Sequence, residues 1–137
     1  MANNTVLRWL PDGKRFVSTD STGHSVVLST SNEGIGMKPS ELILSALSAC
    51  SSVDVVDILQ KKRTPLTSLE VRTTAEQDPE PPWAFRKIHM LYVLKGTGLT
   101  EKNVAQAIEL SHEKYCSVAA TLRGVAEITT SYEILED

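Results

Sequence analysis

The sequence predicts an α+β fold in the order βββ-α-ββ-α-β, and three observations carry that reading. Short runs rich in Val, Thr, Phe and Trp are separated by turn chemistry at Pro11-Asp12-Gly13 and Ser21-Thr22-Gly23. One long apolar segment follows Pro39, and two alternating runs flank the proline-rich Asp78-Pro-Glu-Pro-Pro-Trp83. Nothing repeats the β-α alternation of a parallel sheet, so antiparallel hairpins plus two helices are expected.

Residues 5–10, 14–19 and 24–30 predict a three-stranded antiparallel meander. The stretch 31–38 has two glycines and no periodicity. Pro39 then suits a first helical position and Glu41 the positive end of a helix dipole, which predicts a helix over about 39–62. Its first half is apolar almost all round, with Leu42, Ile43, Leu44, Ala46, Leu47 and Ala49, and is expected to be buried on every side. The second half is amphipathic, with Asp54, Asp57 and Gln60 outward. In a chain this small, an all-round apolar helix hints at a dimer.

Residues 66–77 and 85–95 alternate as two longer strands, with Ile88, Met90, Tyr92 and Leu94 on one face. Asp78-Pro-Glu-Pro-Pro-Trp83 reads as the exposed hairpin connection between them, because its prolines cannot donate to a ladder. Thr100 is positioned to cap a second helix running to about Tyr115, with the Cys116 segment continuing helically to Arg123 and Gly124 ending it. Residues 125–135 alternate as a last strand, with Ala126, Ile128, Thr130, Tyr132 and Ile134 sharing a face.

With 137 residues and 15.0 kDa, the chain reads as a single domain over 1–137. The net charge of −3, with no basic cluster beyond Lys61-Lys62-Arg63, provides no electrostatic footprint for nucleic acid or an anionic membrane. The N-terminus lacks the pattern of a secretory signal, and no apolar stretch is expected to reach the roughly 20 residues that cross a bilayer. A cytoplasmic location is expected, with no membrane partner. In a reducing cytosol the two cysteines, Cys50 and Cys116, are either inert core thiols or a transient catalytic bridge.

A peroxide-reactive thiol must be ionised, and a free cysteine with a pKa near ~8.5 is mostly protonated at neutral pH, so Cys50 calls for a cationic neighbour. A second thiol must then capture the sulfenic acid before it oxidises further. Apolar walls from Leu47, Ile43 or Val53 would favour alkyl or lipid hydroperoxides, each buried CH2 contributing roughly 0.8 kcal/mol. His24, His89 and His112 fall into no metal-ligand spacing with either cysteine, so no metal and no cofactor is expected. His112 reads as a solvated or capping residue, although a continuous helix would put it on the face of Cys116 as a potential base. Tyr115 reads as a packed aromatic.

Three segments, Pro39-Ser-Glu-Leu-Ile-Leu-Ser-Ala-Leu-Ser-Ala-Cys50, Val53-Asp-Val-Val-Asp-Ile-Leu59 and Leu110-Ser-His-Glu-Lys-Tyr-Cys-Ser-Val118, resemble the OsmC/Ohr family, and within it the YhfA-like branch. The resemblance covers essentially the whole chain. It implies an OsmC-like fold with antiparallel sheets wrapped around long central helices in an intertwined homodimer. It also implies a cysteine-based thiol peroxidase that reduces organic hydroperoxides, with an external dithiol reductant, such as a lipoylated protein, reopening a Cys50–Cys116 disulfide. By position, Cys50 matches the attacking cysteine and Cys116 the resolving one. The family's arginine falls on Arg15, with Arg8 as the second candidate, and its glutamate on Glu41. The residue directly after the proline is Ser40, so Glu41 is rotated by about 100° around the helix from the family's glutamate position. Two alternatives of other classes stand beside the enzyme: a non-catalytic dimer binding a hydrophobic small molecule, and a redox sensor without turnover.

Overall fold

A computed structural model describes residues 3–136, and the chain divides into two compact units, Met1–Ile43 and Leu44–Asp137. In the first, β1 (Thr5–Leu10), β2 (Arg15–Asp20) and β3 (Ser25–Ser29) form the expected antiparallel meander, with Trp9 opposite Phe16 and Phe16 opposite Leu28. The β1–β2 turn places Asp12 at φ 74° and Gly13 at φ 138°, and the Trp9 indole N–H donates to the Gly13 carbonyl at 2.7 Å. A φ of this kind is open to glycine without steric cost. The irregular stretch 31–38 is not loose. Met37 bridges Leu28 in parallel, and Gly36 passes so close to β3 that a Cβ there would meet the Leu28 carbonyl carbon and Val27 oxygen at 2.9 Å.

The second unit contains most of α1 (Pro39–Lys61) together with β4 (Leu66–Gln77) and β5 (Phe85–Gly96). α2 (Glu101–Leu110), α3 (Ser117–Leu122) and β6 (Glu127–Ile134) complete it. The strands pair in the order β4-β5-β6. β4 and β5 form the predicted antiparallel hairpin, but β6 runs parallel to β5, with Ile88 beside Ile128 and Tyr92 beside Tyr132. The expectation of wholly antiparallel sheets fails there. The helical crossover between β5 and β6 returns the chain to the end of the sheet from which β5 started, and a parallel pair needs a connection of that length.

One face of the sheet forms the core. Leu47, Val55 and Leu59 of α1 cluster with Ile88, Met90, Tyr92 and Leu94 of β5 and with Val104, Ala107 and Ile108 of α2. Each fully buried Leu or Ile contributes about 1.5–3 kcal/mol to this cluster. The buried α1 stripe is Leu47, Ser51, Val55 and Leu59, the i, i+4 row that a helix lays against a sheet.

Within the single chain the first half of α1 is not buried all round: Ile43, Ala46 and Ala49 are exposed, as are Val53 and Val56 further on. In length and composition α1 is also apolar enough to cross a membrane, contrary to the expectation that no stretch approaches that length. Its serines explain the difference. Ser48 Oγ lies 2.6 Å from Thr73 Oγ1, and Ser51 Oγ 2.6 Å from the Tyr92 hydroxyl, so these two hydroxyls face the sheet.

The helix predicted to run unbroken from Thr100 to Arg123 is in three pieces. Thr100 caps α2 as expected, its Oγ1 accepting from Asn103 N–H at 3.1 Å. After Leu110 the chain widens into a π-turn over Ser111–Tyr115, closed by Cys116 N–H donating to the Ser111 carbonyl at 2.7 Å. Cys116 is extended at φ −78°, ψ 106°, and a new helix starts behind it. π-turns accommodate one extra residue per turn and recur at functional sites.

Candidate functional site

The break at Cys116 brings the two cysteines together. Cys116 is 2% exposed and serves as the N-cap of α3, its Sγ accepting from Ala119 N–H at 3.3 Å. Cys50, half-buried on α1, lies with its Sγ 3.9 Å from Ser117 Oγ. Sixty-six residues of separation collapse into one site because the π-turn aims the start of α3 at the middle of α1.

Their electrostatics differ in direction. Burial pushes the Cys50 thiol up, but the Val118 N–H, the Cys116 thiol and the Ser117 hydroxyl and N–H outweigh it, and the net result is a lowered pKa. Cys116 is pushed up to about 11, first by burial and further by Cys50, against the N–H groups of Ala119 and Val118. One thiol is thus prepared to ionise and the other to keep its proton, which makes Cys50 the better nucleophile of the two. The groups that lower Cys50 are neutral donors at the start of α3. The expectation that only a cation would serve is corrected to that extent.

Arg15 lies on β2, where its guanidinium donates to the Pro11 and Asp12 carbonyls at 2.9 Å, while its buried Nε has no partner among the described residues. Arg8 is exposed on β1, and Glu41 is exposed in the first turn of α1. Both Arg15 and Glu41 belong to the first unit and both cysteines to the second. Leu47 is fully buried and belongs to the same core cluster as Cys116, against which Cys50 packs. Tyr115, expected to pack, is 54% exposed, with Lys114 Nζ 5.4 Å from its ring centroid.

Beside the thiols is a polar cluster that reading the sequence missed. The Tyr92 hydroxyl lies 2.6 Å from Ser51 Oγ and 2.8 Å from His112 Nε2. Ser111 Oγ donates its one proton to Asp54 Oδ2 at 2.8 Å and lies 3.0 Å from Ser51 Oγ. His112 is therefore half-buried and tied to Tyr92, and Asp54 is half-buried where it was expected outward. Burial raises the Tyr92 hydroxyl to about 12 and lowers His112, the latter partly offset by Asp54. One signal was available: Ser51 is the polar member of the otherwise apolar row 47, 51, 55, 59. His112 also opens onto a cleft of about 560 Å3 between α2 and β6, lined by Ile108, Glu109, Ile128 and Tyr132 among others.

A long helix and a kinked second helical segment, packed on a three-stranded sheet and presenting paired thiols of opposite tendency, define a dithiol protein of mixed α+β architecture. The chain belongs to the OsmC-like family, whose model matches residues 31–131. It is 36% identical over 129 residues to protein YhfA of Escherichia coli K12, covering 94% of this chain and 96% of that one. The crystal structure of a hypothetical protein from Aquifex aeolicus VF5 superposes with a TM-score of 0.89 at 30% identity, over 100% of this chain and 98% of that one. The fold is also that of the organic hydroperoxide resistance protein OhrB of Bacillus subtilis, with a TM-score of 0.64 at 15% identity, over 97% of this chain and 98% of that one.

Proposed function

We propose that this protein is a cysteine-based thiol peroxidase acting on organic hydroperoxides. The observation that carries the reading is the thiol pair itself, Cys50 drawn toward the thiolate beside a Cys116 held as thiol. The OsmC-like membership and a fold shared with a protein named for organic hydroperoxide resistance support the substrate class. In the first step the Cys50 thiolate attacks one peroxide oxygen, the O–O bond breaks, and the leaving alkoxide takes up a proton as alcohol. Cys50 is left as sulfenic acid. Cys116 then displaces water from it, and an external dithiol reopens the disulfide by exchange. Arg15 and Glu41 enter as the residues that the resemblance implies for holding the thiolate. Stopped-flow oxidation with cumene hydroperoxide, followed by peptide mapping, tests the proposal: Arg15→Ala slows Cys50 oxidation and Cys116→Ser lets Cys50 over-oxidise, whereas unaltered thiols reject it.

The active form in this reading is a homodimer. Ala46, Ala49, Val53 and Val56 are exposed at spacings of three, four and three along α1, the pattern by which one helix packs on another copy of itself. A second reading, a binder of a small hydrophobic molecule without turnover, rests on the α2/β6 cleft. Native mass spectrometry decides between them: a copurified ligand that is retained in Cys50→Ser, in a protein inert to peroxide, favours the binder.

A further inference from the structure

Ser51 follows Cys50 directly on α1, and Ser111 opens the π-turn that ends at Cys116. These two serines are in direct contact: Ser111 Oγ, whose one proton goes to Asp54, lies 3.0 Å from Ser51 Oγ and 3.4 Å from the Ser51 carbonyl oxygen. The same serine's carbonyl accepts the Cys116 N–H at 2.7 Å. A short route of contacts thus joins the two cysteines, from Cys50 through Ser51 and Ser111 to Cys116, independent of the long covalent path between them. Both serines are fully buried. Around them, Tyr92 reaches Ser51, His112 reaches the Tyr92 hydroxyl, and Asp54 accepts from Ser111, so each polar group finds a partner.

We infer that this buried cluster is a clamp that sets the register of Cys116 against Cys50, with Ser51, Tyr92, Ser111 and His112 acting as positioning residues of the dithiol. The inference deepens the peroxidase reading and rests on its second step. Nothing in stability calls for polar groups here, since Leu or Val at position 51 would continue the apolar row. Buried hydrogen bonds do something that methyl groups do not: they hold one geometry and penalise its neighbours, because a slip of either element leaves several groups unpaired at once. Disulfide closure needs such a constraint. It requires Cα atoms within about 7 Å and a Cβ–S–S–Cβ angle near ±90°. In that step the Cys116 sulfur bonds to the Cys50 sulfenic sulfur and the S–O bond breaks. The Cys116 proton leaves with the hydroxyl as water, Cys116 being oxidised and Cys50 reduced. The π-turn would otherwise be free to relax toward a regular helix and carry Cys116 away.

The test uses the full-length protein with Ser111→Ala and Tyr92→Phe, and Leu59→Ala as a destabilised control whose side chain lies in the core. Two rates are read separately. Cys50 sulfenylation is trapped with dimedone, in a Cys116→Ser background, and disulfide closure is followed in the intact pair with cumene hydroperoxide and with diamide. The clamp predicts that Ser111→Ala and Tyr92→Phe close the disulfide about tenfold more slowly with either oxidant, the factor worth about 1.4 kcal/mol. Sulfenylation stays within about twofold of wild type, and Leu59→Ala slows neither step. Closure at the wild-type rate in both clamp variants, or equal slowing in Leu59→Ala, overturns the inference. Slower diamide closure in the clamp variants of a protein inert to hydroperoxide upholds the clamp and rejects the peroxidase reading alone.

Discussion

Cys116 is 2% exposed and pushed up to about 11, while the half-buried Cys50 beside it is shifted the other way by donors at the start of α3. Alkylation of the reduced native protein with iodoacetamide near neutral pH therefore modifies Cys50 first, and Cys116 reacts at a comparable rate only after unfolding. Peptide mass spectrometry after timed quenching reads this directly. Equal labelling of the two thiols in the folded protein would contradict the arrangement.

The Tyr92 hydroxyl is the hub of the buried cluster, within 2.6 Å of Ser51 Oγ and 2.8 Å of His112 Nε2. Replacing Tyr92 by Phe keeps the ring and takes one partner each from the buried Ser51 hydroxyl and the half-buried His112. Urea unfolding should show a loss of about 1–3 kcal/mol with an unchanged denaturant slope. A loss below ~0.5 kcal/mol, the floor for a net hydrogen bond, would mean that the cluster is not satisfied as described.

His112 is lowered from its ordinary value, burial outweighing the pull of Asp54. A histidine that is harder to protonate in the folded chain than in the unfolded one lets the unfolded state bind more protons on acidification. Its contribution to stability is complete above the unfolded value of about 6.5 and is lost as pH falls from there through the lower folded value. Urea midpoints measured between pH 7.5 and 5 should decline more steeply for wild type than for His112→Gln. Parallel curves would show that His112 takes up its proton as readily in the folded chain as in the unfolded one, so that burial does not lower it.

Val53 is 69% exposed in the middle of the apolar α1 row. If that row is the contact between two copies, Val53→Glu places like charges opposite each other at a helix–helix seam. Light scattering after size exclusion should give a dimer mass for wild type and a monomer mass for Val53→Glu. A monomeric wild type would remove the support that α1 lends to the dimer.

Much of the fold was legible because its signals are local. The meander turns at Pro11-Asp12-Gly13 and Ser21-Thr22-Gly23 are written in residues that accept few other conformations, and β1 and β4 begin and end where alternation said they would. The parallel pairing of β6 was not legible, since the pattern from Ile128 to Ile134 is the same whichever way the strand runs along β5. The π-turn was equally hidden. Ser111 to Leu122 contains no helix breaker, and what stops the helix at Cys116 is tertiary: Ser111 is held by Asp54 and Ser51, His112 by Tyr92, and the His112 carbonyl accepts from Arg123 Nη1 at 3.1 Å. At the site, two thiols were recognisable from their surroundings, but the largest of the donors that tune Cys50 is the backbone N–H of Val118, a group that no sequence marks.

The most direct measurement is the mass of the protein after reaction with one equivalent of cumene hydroperoxide, with peptide mapping of the product. The account predicts loss of two hydrogens per chain and a single Cys50–Cys116 linkage that dithiothreitol reverses. Both thiols remaining free at millimolar peroxide, or Cys50 advancing to sulfinic acid while Cys116 stays reduced, would contradict it.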